Sequence, residues 1–238
     1  MALTVEVLEW DSEFFGVPIG SAYLDGLDSA DLTELDNRAR DLGIECLYGR
    51  LDPAAGEPGM AAQQAGHRLV EVAVTFRRPA GPFTPRPSPS RVRAGSLEDL
   101  PALAASIDAL APWSRFAVDP RFGLVQARRM HEAWARRACT DGADRMLTVS
   151  EDNDGITGFA TQVRGDIPRV DLIATTAQGT HASWQLLDEF LRWAGGGEVE
   201  VGPCAARNPA VLRFLERCGF AVSAVSYLFH RWLDETAQ

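Results

Sequence analysis

A strand, a turn and a helix follow one another after residue 169, and this arrangement can bind an anion. The sequence Val-Asp-Leu-Ile-Ala at residues 170–174 predicts a strand, residues 175–183 predict a turn, and Trp184 begins a helical pattern. The first N–H groups of a helix have no acceptor within the helix, and its dipole favours negative charge there. The turn is therefore a candidate site for a pyrophosphate. An ordinary strand-to-helix turn has the same pattern, and the segment alone leaves both interpretations open.

A second polar position, Asn208, stands at a predicted helix start. Pro209 follows it, and Gly219 lies where the helix is expected to end, because proline suits the first turn and glycine the position after the last. The side chain of Asn208 can cap the helix. It can instead bridge two splayed strands or bind a ligand amide, so its role stays open at this point.

The elements that position these residues alternate between strands and helices. Residues 1–78 predict the order β-α-β-α-β, and residues 91–238 predict α-α-β-β-β-α-β-α-β. Between them, residues 79–90 contain five prolines, which exclude a long helix or a central strand and predict a semi-rigid linker. We therefore predict a small N-terminal α/β domain, a linker and a larger domain within these three ranges.

Composition excludes several classes of protein. The net charge is −10, which disfavours nucleic acid as a partner, and all 23 basic residues are arginine, which indicates a coding bias toward G and C. The sequence has no apolar stretch long enough to cross a membrane and no basic start with an apolar run, so a cytoplasmic location is expected. The four cysteines lack C-x-x-C spacing and the four histidines are scattered, so no metal site is predicted.

In their order along the chain, the turn and the Asn208 helix resemble the GNAT superfamily, the Gcn5-related N-acetyltransferases. The family's loop, Gln/Arg-x-x-Gly-x-Gly/Ala, falls on residues 178–183, and its second signature falls on Asn208, Val211, Leu215, Gly219 and Phe220. The resemblance spans about residues 91–233 and implies a mixed α/β fold with a central, mostly antiparallel, splayed sheet. It implies acetyl-CoA as the acyl donor and a small amine as the acceptor. The residues that it implies for donor binding are Leu172, Ile173, Ala174, Gln178, Gly179, Thr180, His181, Ala182, Ser183 and Asn208.

The first part of the chain adds to the resemblance. Residues 8–20 look like the opening of the TDP-fucosamine acetyltransferase group, which implies a nucleotide-linked amino sugar as acceptor. Asp11, Phe14 and Phe15 are then candidates for the acceptor side, where the rings stack on a sugar or a base. Core packing between domains is the alternative for these rings. Arg115 is a candidate for the diphosphate of the acceptor, with a simple salt bridge as its alternative.

Three positions depart from the family pattern. His181 stands where the loop has glycine, and Ser183 replaces a Gly or Ala, so either these side chains bind the phosphates directly or CoA binding is weakened or lost. Leu215 stands where the family often has a tyrosine that protonates the departing thiolate, which leucine cannot do. Tyr227 is a candidate substitute.

Amide formation also requires that a proton leave the amine. Strand alternation predicts that Asp171 shares a face with Ile173, opposite Val170 and Leu172, which makes Asp171 a candidate base or orienting group. A solvated strand end is the alternative. The resulting hypothesis is an N-acetyltransferase with no nucleic-acid or membrane partner. A homodimer is a possible assembly. The rival hypothesis is a catalytically altered GNAT-fold binding protein or a transferase with another acyl donor.

Overall fold

The computed structural model describes residues 3–55, 58–86, 91–142, 144–176 and 181–234. The chain divides into two compact units. The first comprises the chain up to Ala73 together with the chain from Val225 onward, and the second comprises Val74–Ala224.

Within the described ranges the structure has ten strands and eight α-helices, numbered here in chain order. The strands β1 to β10 are Glu6–Val7, Ile19–Tyr23, Cys46–Leu51, Arg68–Arg78, Arg91–Ala94, Arg145–Asp152, Gly155–Val163, Arg169–Thr175, Val199–Ala205 and Ala221–Trp232. The helices α1 to α8 are Glu9–Phe15, Ser29–Asp41, Pro58–Gln64, Ala104–Leu110, Arg115–Val118, Gly123–Thr140, His181–Trp193 and Pro209–Arg217. Short 3₁₀ helices span Pro53–Ala55, Leu97–Leu103 and Ala111–Trp113. No helix in this part of the chain is long and apolar enough to cross a membrane.

The first unit is built on the strand order β1-β2-β3-β10-β4. β2 and β3 are parallel, and β10 runs antiparallel to β3 with Tyr227 opposite Leu51 and Trp232 opposite Cys46. Helix α2 covers this sheet with buried residues at helical spacing, among them Leu32, Leu35 and Ala39. Asp28 starts α2 as its N-cap, and the side chain of Asp31 completes a capping box.

A buried group of charged side chains also holds the first unit together. Asp36, His67 and Arg231 are each exposed over 5% of their surface or less. Arg231 Nε donates to Asp36 Oδ2 at 2.9 Å, and His67 Nε2 lies 3.3 Å from Asp36 Oδ1. Burial on its own would raise the pKa of Asp36, but the contacts with His67 and Arg231 outweigh it and hold the pKa below its usual value.

The second unit has the strand order β4-β9-β8-β7-β6-β5. β5, β6, β7 and β8 are antiparallel neighbours, whereas β8 and β9 are parallel. Two buried clusters of described residues contribute to its core. Val170 packs in the cluster that includes α7 and α8, while Leu172 and Ala174 pack in the cluster that includes α4 and α6.

This packing corrects the expected alternation of β8. Leu172 pairs with Thr161 and Val170 pairs with Gln162, which leaves Asp171 between them as an additional residue, a β-bulge. The bulge shifts the side-chain alternation by one residue. Val170 therefore lies in the same cluster as Ile173 and not, as the sequence pattern predicts, with Leu172.

The structure also differs from the predicted segments. The pattern gives residues 91–238 to the second domain, whereas the chain from Val225 onward belongs to the first unit because β10 pairs with β3 there. Short elements that the sequence analysis does not predict are α1, β2, β5 and α5. Helix α8 begins after Asn208 and ends before Gly219, as predicted.

Asp36→Asn tests the buried group. It keeps the shape of the side chain but removes the carboxylate charge that pairs with the guanidinium of Arg231, and we expect a loss of about 3–5 kcal/mol in the free energy of unfolding. Urea denaturation measures it. Glu34→Gln is the control, because it removes an exposed ion pair with Arg38 on the same helix and should change stability by less than about 0.5 kcal/mol.

The same variant gives a pH dependence. The pKa of Asp36 is lowered in the folded state, so its contribution is present above the unfolded pKa and is lost as the pH falls through the folded one. The stability difference between the wild type and Asp36→Asn should be constant above about pH 5 and shrink in acid. A difference that does not shrink would contradict the ion pair.

Candidate functional site

A cavity of about 480 Å³ in the second unit lies where β8, α7 and α8 meet. Four of the predicted donor-binding residues line it, namely Ile173, Ala174, Ser183 and Asn208. The remaining described lining residues are Ala109, Leu110, Trp113, Thr175, Trp184, Ala210, Val211, Arg213, Phe214 and Arg217. We call this cavity the cleft.

The cleft follows the edge of β8 beyond its pairing with β9. The two parallel strands pair at Arg169 with Glu200 and at Val170 with Val201 within the described residues, while β8 continues to Thr175. Ile173, Ala174 and Thr175 line the cleft in this continuation. In this continuation the edge of β8 does not pair with β9 within the described residues, so a ligand can bind along this open edge.

The backbone of β8 presents a hydrogen-bond donor at this edge. Leu172 N–H donates to the hydroxyl of Thr161 at 3.1 Å and Thr176 N–H donates to the carbonyl of Thr157 at 2.9 Å, so both amides face β7. Successive amides of an extended strand point in opposite directions. The N–H of Ile173 therefore points to the open edge, where it can donate to a ligand carbonyl.

The start of α7 forms a second side of the cleft. His181 is the first residue of the helix and is exposed, Ala182 is buried, and Ser183 lines the cleft. The N–H groups of this first turn have no acceptor in the helix, and the dipole favours an anion beside them. The predicted loop residues Gln178, Gly179 and Thr180 lie outside the described residues.

The start of α8 forms the third side. Asn208 Oδ1 accepts a hydrogen bond from Val211 N–H at 3.4 Å, so Asn208 caps the helix while it lines the cleft. On the same helix, Ala210, Arg213, Phe214 and Arg217 also line the cleft. Their spacing of three, four and seven residues defines one helical face, which is the signal that could have identified them from the sequence.

Aromatic and cationic side chains complete the walls. Trp184 and Phe214 meet edge to face with ring centroids 4.9 Å apart. Arg207 donates through Nη2 to the carbonyl of Ser114 at 3.0 Å and lies 5.8 Å from the ring centre of Trp113. Arg207 thus links the loop that precedes α8 to the opposite wall.

The described lining residues make the cleft positively charged, and none of them titrates near neutral pH. Arg213 and Arg217 are the ionisable groups among the described lining residues, and no carboxylate, thiol, phenol or imidazole is present among them. Leu215, at the position that the family often fills with tyrosine, is fully buried in the core. The cleft therefore suits an anionic ligand.

The other predicted residues of the second unit lie outside this set. The carboxylate of Asp171 accepts a hydrogen bond from Arg169 Nε at 2.6 Å, and its other oxygen lies 3.6 Å from Arg145 Nη1. Leu172 is buried beside the cleft in the cluster with α4 and α6. The guanidinium of Arg115 lies 4.9 Å from the ring centre of Phe116.

The remaining predicted residues belong to the first unit. Tyr227 packs against its core from β10. Asp11, Phe14 and Phe15 are half-buried residues of α1, where Phe14 stacks on Trp10 with ring centres 5.3 Å apart and meets Phe15 edge to face at 4.9 Å. Their assignment to substrate binding or catalysis stays a prediction.

Solved structures with the same fold include three bacterial proteins. A GCN5-related N-acetyltransferase from Sphaerobacter thermophilus is 14% identical, with a TM-score of 0.61 over 98% of this chain and 77% of that one. A GCN5-related N-acetyltransferase from Kribbella flavida is 14% identical, with a TM-score of 0.58 over 90% and 81%. A conserved protein of unknown function from Staphylococcus epidermidis is 13% identical, with a TM-score of 0.61 over 90% and 84%.

The chain has the GNAT fold. This confirms the predicted mixed α/β architecture with its largely antiparallel sheet. No protein-family model and no curated protein matches the sequence. Identities of 13–14% establish the fold alone, and the subgroup suggested by residues 8–20 stays a prediction.

Asn208→Ala tests the capping role of this residue. The variant removes the acceptor for Val211 N–H, and because that bond is long we expect a loss of only about 0.5–1 kcal/mol in the free energy of unfolding. Asn208→Ser supplies another capping side chain and should recover most of it, as measured by urea denaturation. If serine is as destabilising as alanine, the cap does not hold the start of α8.

Proposed function

We propose that the protein is an acyl-CoA-dependent N-acyltransferase that transfers an acetyl group to the amine of a small acceptor. The observation that supports this most directly is the position of the cleft. It joins the open edge of β8 to the starts of α7 and α8, which presents backbone donors to both an anion and a carbonyl in one cavity.

The described residues fit the donor acetyl-CoA. Its pyrophosphate suits the first turn of α7 beside Ser183 and His181, and Arg213 and Arg217 add positive charge. Its extended pantetheine arm, which carries amides, suits the open edge of β8. When bound, acetyl-CoA supplies the thioester that is the acyl source.

The chain's own contribution is then positioning and polarisation. Ile173 N–H donates toward the open edge and can polarise a thioester carbonyl, since a fixed donor stabilises the negative charge that develops on that oxygen. Trp113 and the Arg207 contact define the opposite wall, which limits the acceptor's approach.

Proton transfer does not require a residue of the cleft. A thiol has a pKa of about 8.5, so the thiolate is a tolerable leaving group without a general acid. This accounts for a core leucine at residue 215 in place of a tyrosine. We propose that water accepts the proton of the amine.

The acceptor that we propose is a nucleotide-linked amino sugar. The support is the sequence of residues 8–20, with its ring cluster of Trp10, Phe14 and Phe15, and an arginine, Arg115, that can pair with a diphosphate.

A binding protein without turnover, or a transferase with another acyl donor, is the second candidate. The observation that favours it is the set of described lining residues, which contains no proton donor with a pKa near neutrality. Binding and turnover therefore have to be measured separately.

Ala210→Trp tests the donor assignment. Ala210 lines the cleft one residue after Pro209, and an indole there should fill it and weaken acetyl-CoA binding by about tenfold or more in calorimetric titration. Ala30→Trp is the matched control, because Ala30 is exposed at the same position of α2, two residues after its N-cap, and should leave the affinity unchanged.

The outcomes separate the candidates. Equal affinity of Ala210→Trp and the wild type would reject the cleft as the donor site. Absence of binding to the wild type at millimolar acetyl-CoA would favour another acyl donor. Binding without turnover across an amine screen that begins with nucleotide-linked 4-amino sugars would favour the binding protein.

The pH dependence of kcat/KM tests the absence of a protein base. We expect the rate to rise with pH in parallel with the neutral fraction of the amine, and to level off at the amine's own pKa with no further inflection. A steady-state profile with two amines of different pKa measures this. An additional inflection that Asp171→Asn or His181→Gln removes would identify that residue as the base instead.

A further inference from the structure

A second cavity of about 310 Å³ lies in the same unit, away from the open edge of β8. Arg78 at the end of β4, Arg86 in the segment that follows, and Arg217 on α8 line it together with Asp188 of α7. We call it the arginine cavity. Its position at the far end of α8 from Asn208 separates it from the start of that helix.

The arginine cavity is positively charged although the chain has a net charge of −10. Three guanidinium groups and one carboxylate are present among its described lining residues. Cys218 also lines it, and burial raises the pKa of that thiol to about 12 against the opposing effect of Arg86 and Arg78, so the thiol is neutral at pH 7. Two positive charges therefore remain in excess.

The carboxylate already has a partner. Asp188 is buried, accepts a hydrogen bond from the backbone N–H of Arg86 at 2.8 Å and lies 3.9 Å from Arg86 Nη1. Asp188 thus compensates Arg86. Arg78 and Arg217 have no ion pair with a described residue.

Arg78 has an unused donor at this cavity. Its Nη2 donates to the carbonyl of Pro82 at 3.0 Å. Its Nη1 is buried and has no hydrogen-bond partner among the residues that the structure describes. A buried donor without an acceptor is unfavourable, and an oxygen of a bound anion would satisfy it.

The arginine cavity and the cleft share a wall. Arg217 lines both, and the guanidinium of Arg86 lies 3.6 Å from the ring centre of Trp184, which lines the cleft. The stacking holds Arg86 in a fixed orientation. An anion in the arginine cavity would therefore contact Arg217, which also lines the cleft.

We propose that the arginine cavity is a binding site for a phosphate-bearing ligand, held by Arg78, Arg86 and Arg217. Guanidinium groups bind phosphate oxygens through paired hydrogen bonds, and the cavity has room for more than the phosphate itself. The phosphate belongs either to a separate small molecule or to a pendant group of the ligand in the cleft. The second source rests on the proposed function.

Inorganic phosphate is the first probe. Calorimetric titration at low ionic strength should show binding to the wild type, with the affinity reduced by about tenfold or more in Arg78→Gln and in Arg86→Gln. Arg38→Gln, an exposed arginine of α2, is the control for the loss of one charge and should bind as the wild type does. Arg86 is half exposed, so its variant keeps the test valid if Arg78→Gln unfolds. No binding to the wild type, or equal binding to all four proteins, would overturn the proposal.

A second titration identifies the source of the phosphate. If the group is pendant, Arg78→Gln weakens the binding of CoA but not that of 3′-dephospho-CoA. If the ligand is separate, inorganic phosphate binds to the CoA-saturated protein with unchanged affinity. Failure of CoA itself to bind would count against the proposed function and leave the phosphate titration as the test of the cavity.

Discussion

The divergence of two parallel strands determines most of the site. β8 and β9 pair at only two residue positions within the described chain, and β8 then continues along the cleft without β9. Backbone groups that lose a strand partner need another acceptor or donor, so an open strand edge is unfavourable unless water or a ligand occupies it. The starts of α7 and α8 meet at this opening. The first-turn N–H groups that have no acceptor within their helix also favour an anionic or carbonyl-bearing ligand there.

The bulge at Asp171 works together with this divergence. It shifts the alternation of β8 so that Val170 packs on the same side as Ile173, opposite Leu172 and Ala174. A sequence pattern with period two cannot reveal such a shift, because the additional residue is visible only in the pairing with β7. For this reason the sequence did not predict the face of β8 that Asp171 occupies. The order of elements around the cleft does not depend on the bulge and was predictable.

The sequence predicted those structural features that depend on contacts between residues close together in the chain. The start of α8 at Asn208-Pro209 and its end at Gly219 follow from cap chemistry within a few residues. Pairing between residues far apart in the sequence could not be predicted. Nothing in residues 225–232 indicates that they pair with residues near Cys46, and nothing in Arg78 indicates that it lines a cavity with Arg217.

The pairing of β10 with β3 has a consequence for how the protein is made. β3 ends at Leu51, but its neighbour Tyr227–Trp232 is translated only after the intervening residues 52–226. At ordinary elongation rates this interval is roughly ten to thirty seconds. During that time the edge of β3 lacks the partner that β10 later provides, and an unpaired strand edge can pair with other polypeptides.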